Sequence, residues 1–332
     1  MKRIFITLFA ISLVNNAHGE EISNCQLDQF HLLDDDTTLG EVRSYCNKTD
    51  SEPSIATPDN SQSGPISQRL SQEREAESGA FVLTPHRMNY ILPVYTTSSL
   101  TPLENQSSSE VYQGLKTVET QFQISLKFPL TFDSLFVPGD KIYGAFTLEA
   151  WWQVYAKDIS SPFRETNYRP EVFYAMPLDW HPLGGITGMM VGIEHQSNGR
   201  AGVQSRSWNR IYLNLAYERD RVVAYIRPWY RLPEDPKADI NDARGDDNPD
   251  IEDYFGHGEI GLGYDLDKYK VSIFGRGNAK TGKGAMTLNV TTPLYGKLRG
   301  YIKVFHGYGD SLIDYNHSQT RLGIGVTLND LF

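Results

Sequence analysis

The sequence predicts an all-β protein, a twelve-stranded antiparallel transmembrane β-barrel with an N-terminal periplasmic arm. Three observations predict this fold. From about Phe81 onward, short segments alternate apolar and polar residues with a period of two, as strands do. Twelve such segments can be drawn, and the connections between them alternate between long and short. The mean hydropathy is −0.42, which suits a barrel because only every second strand residue faces lipid.

Residues 1–19 have the features of a cleaved secretory signal peptide. A short positive n-region at residues 2–3 precedes an apolar h-region at 4–14, and Ala17 and Gly19 are the small residues before the expected cut. The apolar stretch is shorter than the roughly 18–20 residues that a helix needs to cross a bilayer. We therefore expect a secreted protein from which this segment is removed.

Residues 20–84 are expected to form a polar arm. The segment is acidic and rich in Ser, Pro and Asn, so it has too few apolar residues to bury a core. Within it, residues 66–77 favour a short helix. Cys25 and Cys46 are an even pair that can form one disulfide in an oxidising compartment, and two unpaired thiols are the alternative.

Residues 85–332 supply the predicted barrel. The number of strands is even, as in bacterial barrels, and Phe332 ends the chain in the apolar phase of the last strand. The predicted strands are 87–97, 119–130, 141–155, 170–180, 186–197, 208–218, 221–231, 257–266, 268–277, 285–293, 297–307 and 319–332.

Every second connection is expected to lie at the same end of the barrel, and the connections at one end are mostly long while those at the other are mostly short. Long outer loops and short periplasmic turns are typical of outer-membrane barrels. A soluble β-sandwich also has many short strands, but it does not explain this alternation together with a terminal aromatic residue. Among the connections expected to be short periplasmic turns, 131–140 is the main exception because it is long. The mostly long set, expected to face the cell exterior, comprises 98–118, 156–169, 198–207, 232–256, 278–284 and 308–318.

The densest group of polar residues lies at the end of one predicted hairpin. His195 and Ser197 continue the face of Ile193 in one strand, and Asn209 continues the face of Ile211 in the next. Strand phase therefore places three polar residues on what should be the lipid-facing wall, where polar groups are costly. Three such residues converging across one hairpin indicate a function.

These residue types suit a serine hydrolase. Side chains two apart on a strand point the same way, with backbones about 6.5–7 Å apart, so His195 can reach Ser197. A serine hydroxyl is a weak nucleophile at neutral pH and needs such a base, and the base needs an orienting acceptor, which Asn209 can supply. From these residues alone, a rim pair without catalytic role is an equal alternative.

Six longer motifs are distributed along the chain: WWQ at 151–153, SSPFRETNY at 160–168, HQSNGR at 195–200, SRSWNR at 205–210, DDNPDI at 246–251 and SLIDY at 311–315. Together they resemble the outer membrane phospholipase A family. The resemblance covers most of residues 85–332, and it implies a twelve-stranded barrel and a calcium-dependent phospholipase with A1, A2 and lysophospholipase activity. It also implies that Ser197 is the nucleophile, His195 the general base and Asn209 the orienting residue.

The same resemblance implies a homodimer with calcium at the subunit interface. The ligands correspond to the Ser205 hydroxyl, the Arg200 carbonyl and Ser160 of the partner subunit, which are the hard oxygen donors that calcium prefers. The implied role of the ion is to polarise water that, with the Ser197 backbone N–H, stabilises the oxyanion. Asp246 is a candidate secondary calcium ligand, and a solvated acidic loop is the simpler alternative.

Three features depart from the family pattern. Leu148 stands where well-known members have a polar interface residue, so we expect a more apolar or weaker dimer contact. An acidic residue used for a second calcium site is absent near Gly202. Residues 232–246 lengthen an outer loop.

The charge balance and the implied substrate set the remaining expectations. With 31 Lys and Arg against 41 Asp and Glu, the net charge is −10, which argues against a nucleic-acid partner. We expect a phospholipid substrate and an outer-membrane active site that faces the cell exterior. Two rivals remain: a passive porin or lipid-binding barrel, and another barrel hydrolase such as a lipid A deacylase. An aromatic girdle is expected from Trp151, Trp152, Trp180, Trp208 and Trp229.

Overall fold

A closed barrel of twelve antiparallel strands makes up most of the computed structural model. The structure describes residues 64–76, 82–100, 114–239, 242 and 244–330. The expected signal peptide, most of the arm with Cys25 and Cys46, and Phe332 lie outside the described residues. No helix among the described residues is long and apolar enough to cross a bilayer.

Each barrel strand pairs with its neighbour in sequence, and β13 pairs with β2 to close the ring. A two-residue strand, β1 (Thr84–Pro85), extends the line of β2 along β3. Two helices, α1 (Pro65–Ala76) and α2 (Ile251–Phe255), accompany the barrel. The barrel strands are β2 (Tyr90–Thr97), β3 (Val118–Pro129), β4 (Lys141–Trp152), β5 (Phe163–Leu178), β6 (Ile186–Ser197), β7 (Ser207–Arg219), β8 (Val222–Arg231), β9 (Gly258–Leu266), β10 (Tyr269–Asn278), β11 (Lys283–Tyr295), β12 (Leu298–Tyr308) and β13 (Ser318–Thr327).

The twelve predicted strands are confirmed, although several of their bounds differ from the prediction. Strand β2 begins at Tyr90 rather than at 87, and β4 ends at Trp152 rather than at 155. Strand β5 begins at Phe163 rather than at 170, because Glu165 and Asn167 face the interior and are almost fully buried there, hydrogen-bonded to each other. Strand β13 ends at Thr327. The connection 279–282, expected among the long loops, is a tight turn.

The two faces of the barrel wall have opposite chemistry. Exposed outward residues are largely apolar, such as Ile193 (49% exposed), Ile211 (44%) and Ile260 (63%). Inward residues on the same strands are polar and buried, such as Glu194 and Arg210. An apolar outer band around a polar interior is the arrangement that a barrel needs in a lipid bilayer.

The interior is filled with ion pairs at the level of Glu194. Its carboxylate has no exposed surface and lies 2.5 Å from Arg210, 2.6 Å from Arg227, 2.9 Å from Arg169 and 3.1 Å from Arg87. A buried carboxylate requires such pairing because its desolvation is otherwise too costly. At this level the barrel interior is therefore packed with ion-paired side chains.

Helix α1 docks on the end of the barrel opposite the 198–206 connection. The Glu218 carboxylate, near the far end of β7, accepts hydrogen bonds from the first backbone N–H groups of the helix, where negative charge is favourable. Glu73 pairs with Lys127 at 2.7 Å and with Arg69 at 2.9 Å. Although burial raises the pKa of Glu73, these two cations hold it below its usual value. The helix predicted at 66–77 is thus confirmed at Pro65–Ala76.

Candidate active site

Strands β6 and β7 bring His195 and Asn209 together. The two residues are direct cross-strand partners, and Nδ1 of His195 lies 2.8 Å from Oδ1 of Asn209. A carbonyl oxygen only accepts hydrogen bonds, so Nδ1 carries the proton in this pair. The other ring nitrogen, Nε2, is then the one able to accept a proton, as a general base must.

The strand phase predicted for this hairpin is confirmed. In β6, His195 and Ser197 alternate with the buried Glu194 and Gln196, and in β7 Asn209 is the half-buried residue beside buried neighbours. The three polar residues therefore lie on the outer wall, in line with Ile193 and Ile211. A lipid acyl chain can approach this face from the bilayer without entering the barrel.

Ser197 is the last residue of β6 and lies between two strands. It pairs with Ser207 of β7 and with Tyr168 of β5 in the sheet register. The serine is half-buried, whereas Tyr168 is 38% exposed on the outer wall. Ser197 therefore lies at the boundary between strand β6 and the 198–206 connection.

Asn198 organises that connection. Its Oδ1 accepts the backbone N–H groups of Arg200 at 3.2 Å and Arg206 at 3.0 Å, and its Nδ2 donates to the carbonyl of Gln204 at 2.8 Å. The Arg200 guanidinium adds an ion pair with Glu165 at 3.0 Å. The loop is thus held internally, and this fixes where the Arg200 carbonyl and the Ser205 hydroxyl lie.

An acidic residue that the sequence did not single out lies beside Ser205. Asp247 accepts hydrogen bonds from the hydroxyls of Ser205 at 2.9 Å and Ser207 at 3.0 Å, and it pairs with Lys237 at 2.5 Å. Asp246, the carboxylate expected near calcium, points instead to Arg231 at 2.6 Å. Adjacent acidic residues on a loop can face opposite ways, and only the loop geometry decides between them.

Ser160 lies on the 153–162 connection, at the same end of the barrel as the 198–206 connection. It is exposed, follows the short 3-10 turn Lys157–Ile159, and has a left-handed backbone with φ of 62°. Such a conformation is strained for a residue other than glycine. Trp152 supports the loop by donating its indole N–H to the Ser161 carbonyl at 2.9 Å. An exposed serine on this connection is available to another molecule.

The oxygen atoms around Ser205 suit a hard cation. In the described part of the chain, no three His, Cys, Asp or Glu side chains form a metal-binding group. The Ser205 hydroxyl donates to the Asp247 carboxylate, and the Arg200 carbonyl belongs to the same 198–206 connection. Hydroxyl, carboxylate and carbonyl oxygens are the donor types that calcium takes in flexible geometry. These oxygen types fit calcium, and in this structure the Asp247 carboxylate is paired with Lys237.

The aromatic girdle predicted from the tryptophans is wrong for three of them. Trp151 and Trp208 are fully buried and Trp229 is 8% exposed, because all three point into the barrel. Trp208 donates its indole N–H to Gln196 at 3.0 Å. Trp180, 61% exposed at the other end of the barrel, fits a girdle position.

A second residue that the sequence did not single out is Glu234. Its Oε1 accepts a hydrogen bond of 3.0 Å from Nδ2 of Asn209. The amide of Asn209 is therefore engaged at both ends, by His195 and by Glu234. No sequence period predicts this contact, because Glu234 lies on the 232–257 connection.

The chain is similar to known phospholipases. A family model described as phospholipase A1 matches residues 66–328. The phospholipase A1 of Escherichia coli (strain K12) is 37% identical over 270 residues, covering 81% of this chain and 88% of that protein. The solved outer membrane phospholipase A from Escherichia coli matches with a TM-score of 0.70 and 38% identity, over 76% of this chain and 94% of that chain. A Salmonella typhi outer membrane phospholipase, solved as a dimer with bound calcium, matches with a TM-score of 0.71 and 36% identity, over 78% of this chain and 97% of that chain.

Proposed function

The chain belongs to the phospholipase A1 family and is a phospholipase, and we propose that it is a calcium-dependent enzyme of the outer membrane, active as a homodimer. Its proposed reactions are the hydrolysis of both acyl esters of phospholipids, which are the A1 and A2 activities, and the hydrolysis of lysophospholipids. The observation that carries this proposal is the 2.8 Å contact between His195 and Asn209 on the outer wall, with Ser197 on the same face.

The first half of the proposed reaction forms an acyl-enzyme. The Ser197 hydroxyl oxygen attacks the ester carbonyl carbon while its proton passes to Nε2 of His195. Asn209 accepts the Nδ1–H of the resulting imidazolium and keeps the ring in place. When the tetrahedral intermediate collapses, His195 gives the proton to the alcohol oxygen of the leaving lysophospholipid, and the acyl group remains on Ser197.

The second half restores the enzyme. A water molecule attacks the acyl carbonyl carbon as His195 takes one of its protons, and the fatty acid leaves as the Ser197 hydroxyl is re-formed. His195 is thus base and then acid in each half. Because the catalytic face is on the outer wall, the acyl chains of the substrate can stay in the hydrocarbon layer throughout.

Ser205, the Arg200 carbonyl and Ser160 of the partner subunit are the proposed calcium ligands. When bound, calcium supplies positive charge that stabilises the developing oxyanion. Asp247 would face the same cation, because it already accepts a hydrogen bond from Ser205. A secondary contact from Asp246 would require that carboxylate to leave Arg231. The Salmonella typhi relative, solved as a dimer with calcium, supports this proposal.

The proposed orientation places the active site toward the cell exterior. Its support is the parity of the connections, since 198–206 and 232–257 are long whereas 220–221, 267–268 and 296–297 on the opposite end are two-residue turns. On this orientation α1 and the arm at 20–84 are periplasmic, residues 1–19 are the signal peptide and residues 85–332 are the catalytic barrel. Leu148, on the outer wall between Ile124 and Tyr168, is the proposed dimer contact.

The test is fatty-acid release from phospholipid in mixed detergent micelles. We expect the full-length protein to release acyl chains with calcium and to stop with a chelator. We expect Ser197→Ala to abolish release while keeping the folded barrel. Equal release by wild type and Ser197→Ala would contradict the proposal. A porin without hydrolase activity would release none in either case, and the packed ion pairs around Glu194 already argue against a wide pore at that level.

A further inference from the structure

Glu234 lies within hydrogen-bonding distance of the catalytic group without belonging to it. Its carboxylate accepts the Nδ2–H of Asn209 at 3.0 Å, while Oδ1 of the same amide accepts from His195 at 2.8 Å. We propose that Glu234 is a positioning residue that holds Asn209 in its catalytic orientation and polarises its amide. The inference deepens the proposed function and rests on it.

The amide geometry gives the physical reason. An asparagine side chain can present either its carbonyl or its NH2 group to a neighbour, and only the carbonyl can accept the Nδ1–H of His195. A carboxylate only accepts hydrogen bonds, so Glu234 selects the orientation in which the NH2 group points toward itself. The negative charge behind the NH2 group also strengthens the chain of hydrogen bonds that ends at the imidazole.

The segment that carries Glu234 is fixed at several points. The backbone N–H of Leu232 donates to the Asn209 carbonyl at 2.8 Å, and the Asp235 carbonyl accepts the N–H of Asp246 at 2.8 Å. Pro236 forms an isolated bridge with Asp246. We call residues 232–237 the strap. It leaves strand β8 beside the catalytic asparagine and ends against the acidic pair at 246–247.

A glycine lets the two chain segments approach each other. Gly245 has φ of +98°, and a Cβ there would lie 3.0 Å from the Asp235 carbonyl oxygen and from the Lys237 backbone. Lys237 then pairs with Asp247, the residue that holds Ser205 and Ser207. The strap is therefore held between the catalytic asparagine and the proposed calcium loop, which gives the lengthened outer loop a role.

The surroundings of Glu234 distinguish it from a freely solvated carboxylate. It is half-buried, and the outer wall that continues from its partner Asn209 is apolar: Ile211 is 44% exposed and its cross-strand partner Tyr230 is 65% exposed. A carboxylate beside an apolar wall is costly without a hydrogen-bond donor. Its neighbour Asp235 is exposed, and Asp235→Asn serves as the control because it removes the same charge from the same strap.

The experiment is a double-mutant cycle in mixed micelles at saturating calcium. We expect Glu234→Ala to lower kcat about tenfold, the effect of one hydrogen bond to a charged group, with KM changed less than about twofold. We expect Glu234→Gln, whose carbonyl can still accept from Asn209, to recover about half of that loss on a logarithmic scale. Asp235→Asn should leave kcat unchanged.

The decisive comparison uses the Asn209→Ala background. There the proposed partner of Glu234 is gone, so Glu234→Ala should change kcat by less than about twofold. The inference is overturned if Glu234→Ala matches Asp235→Asn, or if it has the same effect with and without Asn209. If instead wild type and Ser197→Ala release acyl chains equally, the proposed function itself fails, and that outcome is separate. Unfolding midpoints of all variants confirm that each is folded.

Discussion

Two neighbouring cross-strand residue pairs of the β6–β7 hairpin, here called rungs, show how the inner and outer faces of the barrel wall differ. Glu194 and Arg210 are cross-strand partners that face the interior, with the carboxylate 2.5 Å from the guanidinium. The next rung pairs His195 with Asn209 on the outer wall through one hydrogen bond of 2.8 Å. Both residues of the inner rung are charged, whereas Asn209 in the outer rung is neutral.

The difference follows from what each side can offer a charge. Inside, Glu194 is surrounded by four guanidinium groups, so its desolvation is offset by several strong pairs. Outside, lipid offers no partner, and a carboxylate in direct contact with the imidazole would be costly to keep there. Asn209 accepts the hydrogen bond of the imidazole without a formal charge. The carboxylate of Glu234 stands one hydrogen bond further away, on the connection at the rim.

The largest expected effect is on the outer rung. His195→Ala removes the proposed general base and should lower kcat by at least about 10³-fold. Asn209→Ala should lower kcat by about 10- to 100-fold, because a neutral orienting residue contributes less and the strand still holds the imidazole approximately in place. Initial rates of fatty-acid release measure both. Equal losses in the two variants would show that orientation matters as much as the base itself.

A smaller effect, on stability instead of rate, is expected on the inner rung. Glu194→Ala leaves four arginines without their shared carboxylate and should lower the free energy of unfolding by about 3–5 kcal/mol, the usual result of breaking a buried ion pair. Denaturant unfolding in detergent, followed by tryptophan fluorescence, measures it. Glu194→Gln keeps the shape and part of the hydrogen bonding, so it should fall between wild type and Glu194→Ala.

The matched control for Glu194→Ala is Ser197→Ala, three residues along the same strand. We expect Ser197→Ala to abolish activity with an unchanged unfolding midpoint, and Glu194→Gln to shift the midpoint while the folded enzyme keeps most of its activity. A loss of activity in fully folded Glu194→Gln would contradict the view that the interior only supports the site.

Much of this contrast could be predicted from the sequence because strands have an exact period of two. The phase of Ile193 fixed the outward direction of His195 and Ser197, and the same rule placed Asn209. The same rule predicts that Trp208 faces the interior, since it is next to Asn209, which faces outward. The girdle prediction for Trp208 was wrong because it rested on the position of the residue near the strand end and not on the face to which its side chain points.

Other features depend on contacts that no local pattern encodes. The first residues of β5 look like a loop because they are polar, yet Glu165 is fully buried and pairs with Arg200, which lies 35 residues further along the chain. Asp246 and Asp247 have the same chemistry and differ only in which way the loop turns them. Glu234 meets Asn209 across 25 residues of chain through the strap. Each contact is set by loop geometry.

The smallest expected effect lies far from both rungs, in the 130–140 turn at the opposite end of the barrel. Asp140 is buried and accepts backbone N–H groups of Leu135, Phe136 and Val137 at 2.6–3.0 Å and the Tyr174 hydroxyl at 2.6 Å. Burial raises its pKa, but these hydrogen bonds outweigh it and hold the pKa at about 2.

Because the folded pKa of Asp140 is depressed, its ionised form stabilises the turn above the unfolded value of about 3.9, and this contribution is lost as pH falls toward 2. Asp140→Asn, which imitates the protonated acid, should therefore lower the unfolding midpoint slightly and equally from pH 8 to pH 5. The difference from wild type should shrink between pH 4 and pH 2. Denaturant midpoints across this range measure it, and fatty-acid release at pH 7 should be unchanged. A difference that persists undiminished at pH 2 would mean that the charge of Asp140 does not hold the turn. A loss of activity would mean that this end of the barrel is coupled to the outer wall.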